Sequence, residues 1–376
     1  MKYSSNLFFF SFLLIIITTI ANIRATTGDS PHHHLEKNEV SEYYSRPTKL
    51  FVFGDSYADT GNLRKSLASS WKQPYGLTFP GKPAGRFSDG RVLTDYFAKF
   101  FGLKSPIAYT LMKMGGNNNN KVRNGMNFAF GGSGVFDASG NSSPNMSTQI
   151  DFFKKLIMIK INESNTIYTK RDLKSSVVLV TLVGNDYAAY TARPDATAQG
   201  LRSFIPLVVN QLAANLKRIK EMGACKIVVT ALQPLGCLPQ MTQLSSFKQC
   251  NATQNLVVNY HNLLLQQAVS KLNNETKHIH HSIFILDLFD SFTTVLNQKG
   301  DYQGDLKFET PLKPCCMGIS RGYSCGSVDG NGTKMYTVCS DPKSSFFWDA
   351  LHPTQAGWRA VYMVLKSSLE QFFKFY

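Results

Sequence analysis

Short apolar runs alternate along the chain with longer segments of helical periodicity. Runs rich in β-branched residues predict four strands, at residues 49–53, 177–183, 226–230 and 283–288. The second run (VVLVTLV) is apolar apart from Thr181, as expected of a strand that is buried on both faces of a parallel sheet. Strands that alternate with helices predict a doubly wound α/β sheet with helices on both faces.

Three longer segments predict helices. Apolar residues recur at helical spacing across residues 201–222, and Gly223 then offers a C-cap. Residues 251–272 and 354–372 have a similar pattern. Ligands of open α/β sheets bind outside the carboxyl ends of the strands, so we expect the functional residues directly after the predicted strands.

The first 25 residues predict a secretory signal peptide. A positive residue near the start precedes an apolar run at residues 7–17, and small residues at Ala21 and Ala25 offer cleavage points. An uncleaved anchor is the alternative, but the apolar centre is shorter than a membrane span requires. We therefore expect a secreted protein, extracellular or vacuolar, without stable membrane insertion.

Residues 26–47 are polar and predict a flexible N-terminal arm. The triplet at residues 32–34 (HHH) offers metal binding as an alternative, but no acidic or cysteine partner stands at ligand spacing. No Pro/Ser-rich linker and no internal repeat follow residue 48. The sequence therefore predicts one domain at residues 48–376.

The chain carries a formal net charge of +15. The predicted signal peptide contains two basic residues and no acidic one, so the mature protein would carry +13. Such an excess favours contact with polyanions. Secretion argues against nucleic acid, and no basic run interleaved with aromatic residues is present. An anionic extracellular matrix or lipid surface is the expected setting, with a monomer as the default state.

Cysteines and sequons agree with an oxidising, secretory environment. Six of the seven cysteines predict three disulfides, whose pairing the sequence does not give. They are Cys237, Cys250, Cys315, Cys316, Cys325 and Cys339. Zinc is the alternative, but this set has no C-x-x-C pair and no histidine at finger spacing. Cys225 predicts a buried thiol. Six sequons predict N-glycosylation, at Asn141, Asn145, Asn162, Asn251, Asn274 and Asn331.

Four motifs carry candidate catalytic residues. A predicted strand runs into Ser56 (FVFGDSYADTGN), and Asp349 stands three residues before His352 (FFWDALHPTQAGW). Asn185 directly follows another strand (TLVGNDYAAY), and paired glycines occur in NFAFGGSGVFD. A carboxylate that holds one imidazole nitrogen leaves the other free to act as a base. Taken singly, each motif is also compatible with a turn, a helix cap or a flexible loop.

Along the chain the order is strand–GDS, GG loop, strand–GND and carboxyl-terminal DxxHP. Together and in this order, the four motifs resemble the GDSL (SGNH) hydrolases. The segment PAGRFSDGRVLTDYFA from Pro83, QPLGCLP from Gln233 and DALHPT are similar to the plant-type secreted GDSL esterases/lipases, and the resemblance runs from about residue 48 to the C-terminus. It implies a flavodoxin-like three-layer α/β/α sandwich with a central, mostly parallel sheet.

The resemblance also implies roles for individual residues. Ser56 would be the nucleophile, His352 the general base and Asp349 the residue that orients this base. Oxyanion donors would be the Ser56 N–H, a glycine N–H and the Asn185 side chain. Of Gly131 and Gly132, we expect Gly132. No metal or organic cofactor is implied.

Two residues depart from the family pattern. Tyr57 replaces the usual leucine after the serine, and we expect it to reshape the acyl pocket. Phe130 stands where many members have serine before the glycines. Neither change removes a catalytic atom.

A second serine motif, Gly322 to Gly326 (GYSCG), matches the G-x-S-x-G nucleophile elbow. That elbow requires a preceding buried strand and a following helix, which this Cys/Gly-rich stretch lacks. We interpret the match as coincidental.

The sequence therefore predicts a secreted serine esterase or lipase that acts on lipid or other acyl esters. One alternative is an acetyl esterase or acyltransferase acting on cell-wall polysaccharide. Another is a catalytically silent secreted binding protein, although Ser56 and His352 are both present with their neighbours.

Overall fold

The computed structural model describes residues 46–115, 122–138, 140, 143–158, 167–275, 282–297 and 308–373. The predicted signal peptide and nearly all of the predicted arm lie outside these residues, as do Asn141 and Asn162.

A six-stranded parallel sheet forms the centre of the molecule, with strand order β2-β3-β1-β4-β5-β6. The strands are β1 (Lys49–Gly54), β2 (Ile107–Ala108), β3 (Gly125–Asn127), β4 (Ser176–Thr181), β5 (Lys226–Thr230) and β6 (Ser282–Leu286). The chain moves from β1 towards one edge and returns to place β4 on its other side. This change of direction opens a crevice at the carboxyl ends of β1 and β4, where α/β sheets bind ligands.

Helices cover both faces of the sheet. Within the described residues they are α1 (Leu93–Phe100), α2 (Tyr109–Met114), α3 (Met146–Met158), α4 (Lys170–Lys174), α5 (Asn185–Thr191), α6 (Ala198–Glu221), α7 (Pro239–Thr242), α8 (Ala252–Asn274), α9 (Leu288–Asn297) and α10 (Gln355–Phe373). The predicted α/β/α sandwich is confirmed. No helix in this part of the chain is long and apolar enough to cross a bilayer.

Alternate residues of each strand supply two separate cores. Phe51, Phe53 and Val178 pack with α3, α6 and α8 on one face. Leu50 and Val52 pack with α1, α9 and α10 on the other. Because both faces are covered, the central residues of β1, β4 and β5 are apolar, which is why these strands appear in the sequence as continuous runs.

The strand at residues 177–183 ends earlier than predicted, at Thr181. The N–H of Val183 donates to the Asp55 carboxylate instead of to a neighbouring strand. The last strand also ends early, at Leu286, because α9 begins at Leu288. β2 and β3 were not predicted, since two or three residues carry too little periodicity.

Three disulfides are present, as predicted, and they pair Cys237 with Cys250, Cys315 with Cys339, and Cys316 with Cys325. Cys315 and Cys339 flank a small antiparallel pair, β7 (Cys316–Gly318) and β8 (Tyr336–Val338), and Cys316 belongs to β7. Cys225 lies outside the disulfides, and it is half-buried where a buried thiol was predicted.

Four sequon asparagines lie in the described part of the chain. Asn274 and Asn331 are exposed. Asn145 and Asn251 are half-buried, and their side-chain oxygens accept from Thr148 N–H and Gln254 N–H at the starts of α3 and α8. Glycosylation of these sites stays a prediction.

Candidate active site

Ser56 stands at a sharp turn at the end of β1. Gly54 has φ +149°, and a Cβ there would lie 2.1 Å from the carbonyl oxygen of Thr181. Only glycine therefore fits beside β4 at this position. The Asp55 N–H then donates to the same carbonyl, which places Ser56 just beyond the edge of the sheet.

Asp349 and His352 lie in the loop before α10. Asp349 Oδ1 accepts the N–H groups of Leu351 and His352, which closes a tight turn and turns the imidazole back towards the carboxylate. His352 Nδ1 lies 2.8 Å from Asp349 Oδ1 and 2.9 Å from Oδ2. His352 Nε2 lies 2.8 Å from Ser56 Oγ. The three predicted triad residues are thus joined by hydrogen bonds, and all three side chains are buried.

The Asp349 carboxyl is stabilised in its charged form. Burial opposes ionisation, but the charge of His352 and the hydrogen bonds from His352, Leu351 and Tyr75 outweigh it and lower the pKa of Asp349. An anionic carboxylate at Nδ1 fixes the tautomer in which Nε2 can accept the serine proton.

Two aromatic residues that sequence reasoning missed contact this group. The Tyr75 hydroxyl donates to Asp349 Oδ2 at 2.7 Å. The Phe87 ring lies against the imidazole, with ring centroids 5.0 Å apart. Both residues belong to the long connection between β1 and α1, where hydrophobic periodicity carries no signal.

The paired glycines follow β3 and differ in their hydrogen bonding. Gly131 is enclosed by Phe87 and Leu63, and its N–H donates to Asp59 Oδ2 at 2.9 Å. Gly132 has φ +83° and is half-buried. Across the described ranges, the N–H groups of Gly132 and Ser56 have no hydrogen-bond partner.

Asn185 begins α5, is separated from the end of β4 by three residues, and faces the same crevice. Its Nδ2 donates to Asp55 Oδ2 at 3.1 Å and to the carbonyl oxygen of Ser133 at 2.9 Å. Both N–H groups of the amide are therefore engaged. An acceptor that arrives in the crevice must replace one of these two hydrogen bonds. The sequence did not predict that the amide is already engaged.

Two buried carboxyls hold the loops together. Asp55 accepts from Val183 N–H, Tyr57 N–H and the Asn185 amide. Burial raises the pKa of Asp55 to about 7, because these donors are neutral and compensate only in part. Asp59 accepts four backbone N–H groups, including that of Gly131, and burial raises its pKa to about 6.

Tyr57 does not face the crevice, contrary to our expectation that it reshapes the acyl pocket. It is 2% exposed, and its ring packs against Trp358 and Phe292 under His352. Its hydroxyl donates to the carbonyl oxygen of Leu351. Phe130, the other departure, lines a cavity of about 530 Å³ with Leu63 and Phe152.

The GYSCG segment lies in the disulfide-linked loop. Cys325 is bonded to Cys316, and the exposed Ser324 contacts the hydroxyl of Ser327. No buried strand leads into Ser324 and no helix follows it, so the context of a nucleophile elbow is missing.

No group of three or more His, Cys, Asp or Glu side chains that could hold a metal ion occurs in the described ranges.

An open parallel sheet with a hydrogen-bonded Ser-His-Asp group at its carboxyl edge is an architecture of hydrolytic α/β enzymes. The GDSL-like lipase/acylhydrolase family model matches residues 50–365. The chain belongs to this family, and it is a carboxylic ester hydrolase. A GDSL esterase/lipase of Arabidopsis thaliana is 52% identical over 365 residues, 96% of each chain. A second GDSL esterase/lipase of the same plant is 50% identical over 325 residues, which are 86% of this chain and 89% of the relative. Acetylajmalan esterase 2 of Rauvolfia serpentina is 31% identical over 84% of this chain and 88% of its own.

Proposed function

We propose that the protein is a secreted serine esterase or lipase that cleaves carboxylic esters through Ser56, His352 and Asp349. The observation that supports this best is the continuous hydrogen-bond path from Asp349 through His352 to Ser56 Oγ. This path lies at the carboxyl ends of the strands, where α/β folds bind ligands. It joins the carboxylate, the base and the nucleophile in the order that nucleophilic catalysis needs.

Hydrolysis proceeds in two steps. Ser56 Oγ attacks the ester carbonyl while His352 Nε2 takes its proton, and Asp349 stabilises the imidazolium. His352 then gives the proton to the leaving alcohol, and an acyl group remains on Ser56. Water, deprotonated by His352, attacks the acyl-enzyme and releases the acid. The scheme needs neither a metal ion nor an organic cofactor.

The tetrahedral oxyanion is bound by the N–H groups of Ser56 and Gly132 and by the Asn185 amide. The two backbone donors are available, as described above, whereas Asn185 donates to Asp55 and Ser133. We assign to Asn185 an exchange in which its bond to Ser133 is replaced by a bond to the oxyanion, while Asp55 keeps the amide in place. Such bonds often tighten only when substrate is bound.

The proposed substrates are lipid or other acyl esters. With lipid esters as substrates, the protein would act in lipid degradation. Acetyl esters are the second candidate, on a cell-wall glycan or a small molecule, because a relative is named acetylajmalan esterase 2. The disulfides and the positive net charge support secretion into an oxidising, polyanion-rich environment. Removal of the first 25 residues is checked by amino-terminal sequencing of secreted protein.

The test is hydrolysis of p-nitrophenyl acetate, butyrate and longer esters by wild type, Ser56→Ala and Ser324→Ala. Ser324 is the matched control, because it carries the competing serine motif. We expect turnover that disappears in Ser56→Ala and persists in Ser324→Ala. Wild-type turnover in a folded Ser56→Ala protein overturns the proposal. The chain-length profile separates acetyl esterase from lipase.

A further inference from the structure

Ser56 and His352 come from opposite ends of the chain, 296 residues apart. The loop of residues 349–352 must therefore be held against the β1 end by contacts other than chain connectivity. Two tyrosine hydroxyls from the amino-terminal part make such contacts. The Tyr57 hydroxyl donates to the Leu351 carbonyl at 2.9 Å, and the Tyr75 hydroxyl donates to Asp349 Oδ2 at 2.7 Å.

Tyr57 is rigidly placed. It immediately follows Ser56, its N–H donates to Asp55 Oδ1, and its ring lies edge-on to Trp358 with centroids 5.0 Å apart. The ring also lies 5.9 Å from the imidazole of His352. A movement of the loop therefore requires either the loss of the Tyr57–Leu351 bond or the repacking of a buried aromatic group.

Tyr75 is held by a different part of the molecule. It belongs to the small core of the disulfide-linked segment, where its ring lies edge-on to Trp348 with centroids 6.0 Å apart. Cys315 N–H and Cys316 N–H donate to the carbonyls of Phe347 and Trp348, so the same segment also supports the residues before Asp349.

Both hydroxyls are permanent donors. Burial raises the pKa of Tyr57 and of Tyr75 well above the usual value for tyrosine, so both phenols stay protonated wherever the enzyme works.

We propose that Tyr57 and Tyr75 are positioning residues that together hold the Asp349–His352 loop in register with Ser56, an inference that rests on the proposed function of these three residues. Tyr57 fixes the backbone just before the histidine, and Tyr75 fixes the carboxylate that orients it. Misplacement of a catalytic group by about 1 Å costs up to roughly 100-fold in rate, so loss of one hydroxyl has a kinetic effect beyond its effect on folding.

The experiment compares Tyr57→Phe and Tyr75→Phe with Tyr96→Phe. Tyr96 is a matched control, because its hydroxyl also donates to a backbone carbonyl, that of Gln355, at 2.9 Å, but it contacts no triad residue. Rates are measured with p-nitrophenyl butyrate and divided by the concentration of sites that react with a fluorophosphonate, so that unfolded protein does not count.

We expect kcat to fall about 10-fold in each of the first two variants, with KM within about 2-fold of wild type. Tyr96→Phe keeps the wild-type kcat.

Wild-type kcat in Tyr57→Phe and Tyr75→Phe overturns the inference, whatever their melting temperatures. Equal kcat losses in all three variants also overturn it, because the effect is then not specific to the two hydroxyls that contact the Asp349–His352 loop. Failure of the proposed function looks different, since Ser56→Ala then retains turnover. If Ser56→Ala is inactive while both tyrosine variants match wild type, only the positioning role fails.

Discussion

Replacement of Asp55 by asparagine should change how stability depends on pH. Asp55 is fully buried at the end of β1 and accepts from Val183, Tyr57 and Asn185. Burial raises its pKa from the ordinary 3.8 to about 7. The folded protein therefore holds a proton at this carboxyl between about pH 4 and pH 7 that the unfolded chain releases. Asparagine has no such proton to lose.

The sign and size follow from proton linkage. When the folded state binds the extra proton, the free energy of unfolding falls as pH rises, by about 1.4 kcal/mol per pH unit. Between pH 5 and pH 7 this amounts to about 2 to 3 kcal/mol, and above pH 7 the carboxyl is ionised in both states, so the effect levels off. As the pH rises from 5 to 7, the free energy of unfolding of wild type should therefore fall by this amount relative to that of Asp55→Asn. Any constant cost of placing an amide opposite the Tyr57 N–H cancels in the comparison.

The assay is chemical denaturation at pH 5, 6.5 and 8 with intact disulfides, followed by the fluorescence of the three tryptophans. Asp172→Asn is the control. Burial opposes ionisation of Asp172, but hydrogen bonds from Lys49 and Thr169 lower its pKa. Its contribution is lost only below about pH 4 and is flat in this range. The reasoning would be refuted if the difference in the free energy of unfolding between wild type and Asp55→Asn were equally independent of pH.

Three further predictions concern the site and its support. Asn185→Ala should lower kcat by on the order of 100- to 1000-fold with an unchanged circular dichroism spectrum, as expected for an oxyanion donor; a kcat near wild type excludes that role. Gly54→Ala should cost about 3 kcal/mol or more in denaturant titrations, because the new methyl group overlaps a backbone oxygen. Gly81→Ala, with φ +86° and open space, should cost only about 1 kcal/mol, and equal losses would contradict the steric argument. Joint replacement of Cys315 and Cys339 by alanine should lower stability by about 3 kcal/mol, measured in the same way, and an unchanged midpoint would count against it.

The elements that local pattern predicts well are long or buried on both sides. The strand at residues 226–230 has its predicted bounds, and the helices predicted at residues 201–222 and 251–272 differ from α6 and α8 by a few residues. β2 and β3 complete the sheet with only two and three residues. β3 is placed by pairing with β1, and β2 by pairing with β3. No local pattern contains such pairing.

The chemistry-bearing residues of the site were predicted from motifs, whereas the residues that support them were not. The resemblance to a known family supplied Ser56, His352 and Asp349, and the structure brings them into contact. Tyr75 stands 274 residues before Asp349, and the orientation of Tyr57 depends on packing against α9 and α10. Such contacts depend on the folded geometry rather than on periodicity or composition.

The wide separation of Ser56 and His352 has a consequence for biosynthesis. A ribosome makes the amino terminus first, at about 5 to 20 residues per second, so the histidine follows the serine by about 15 to 60 s. During that interval the nascent chain carries the serine without its base. On the proposed mechanism, truncated products stay inert, and ester cleavage begins only after the carboxyl-terminal loop has docked. Turnover thus reports that synthesis has passed His352.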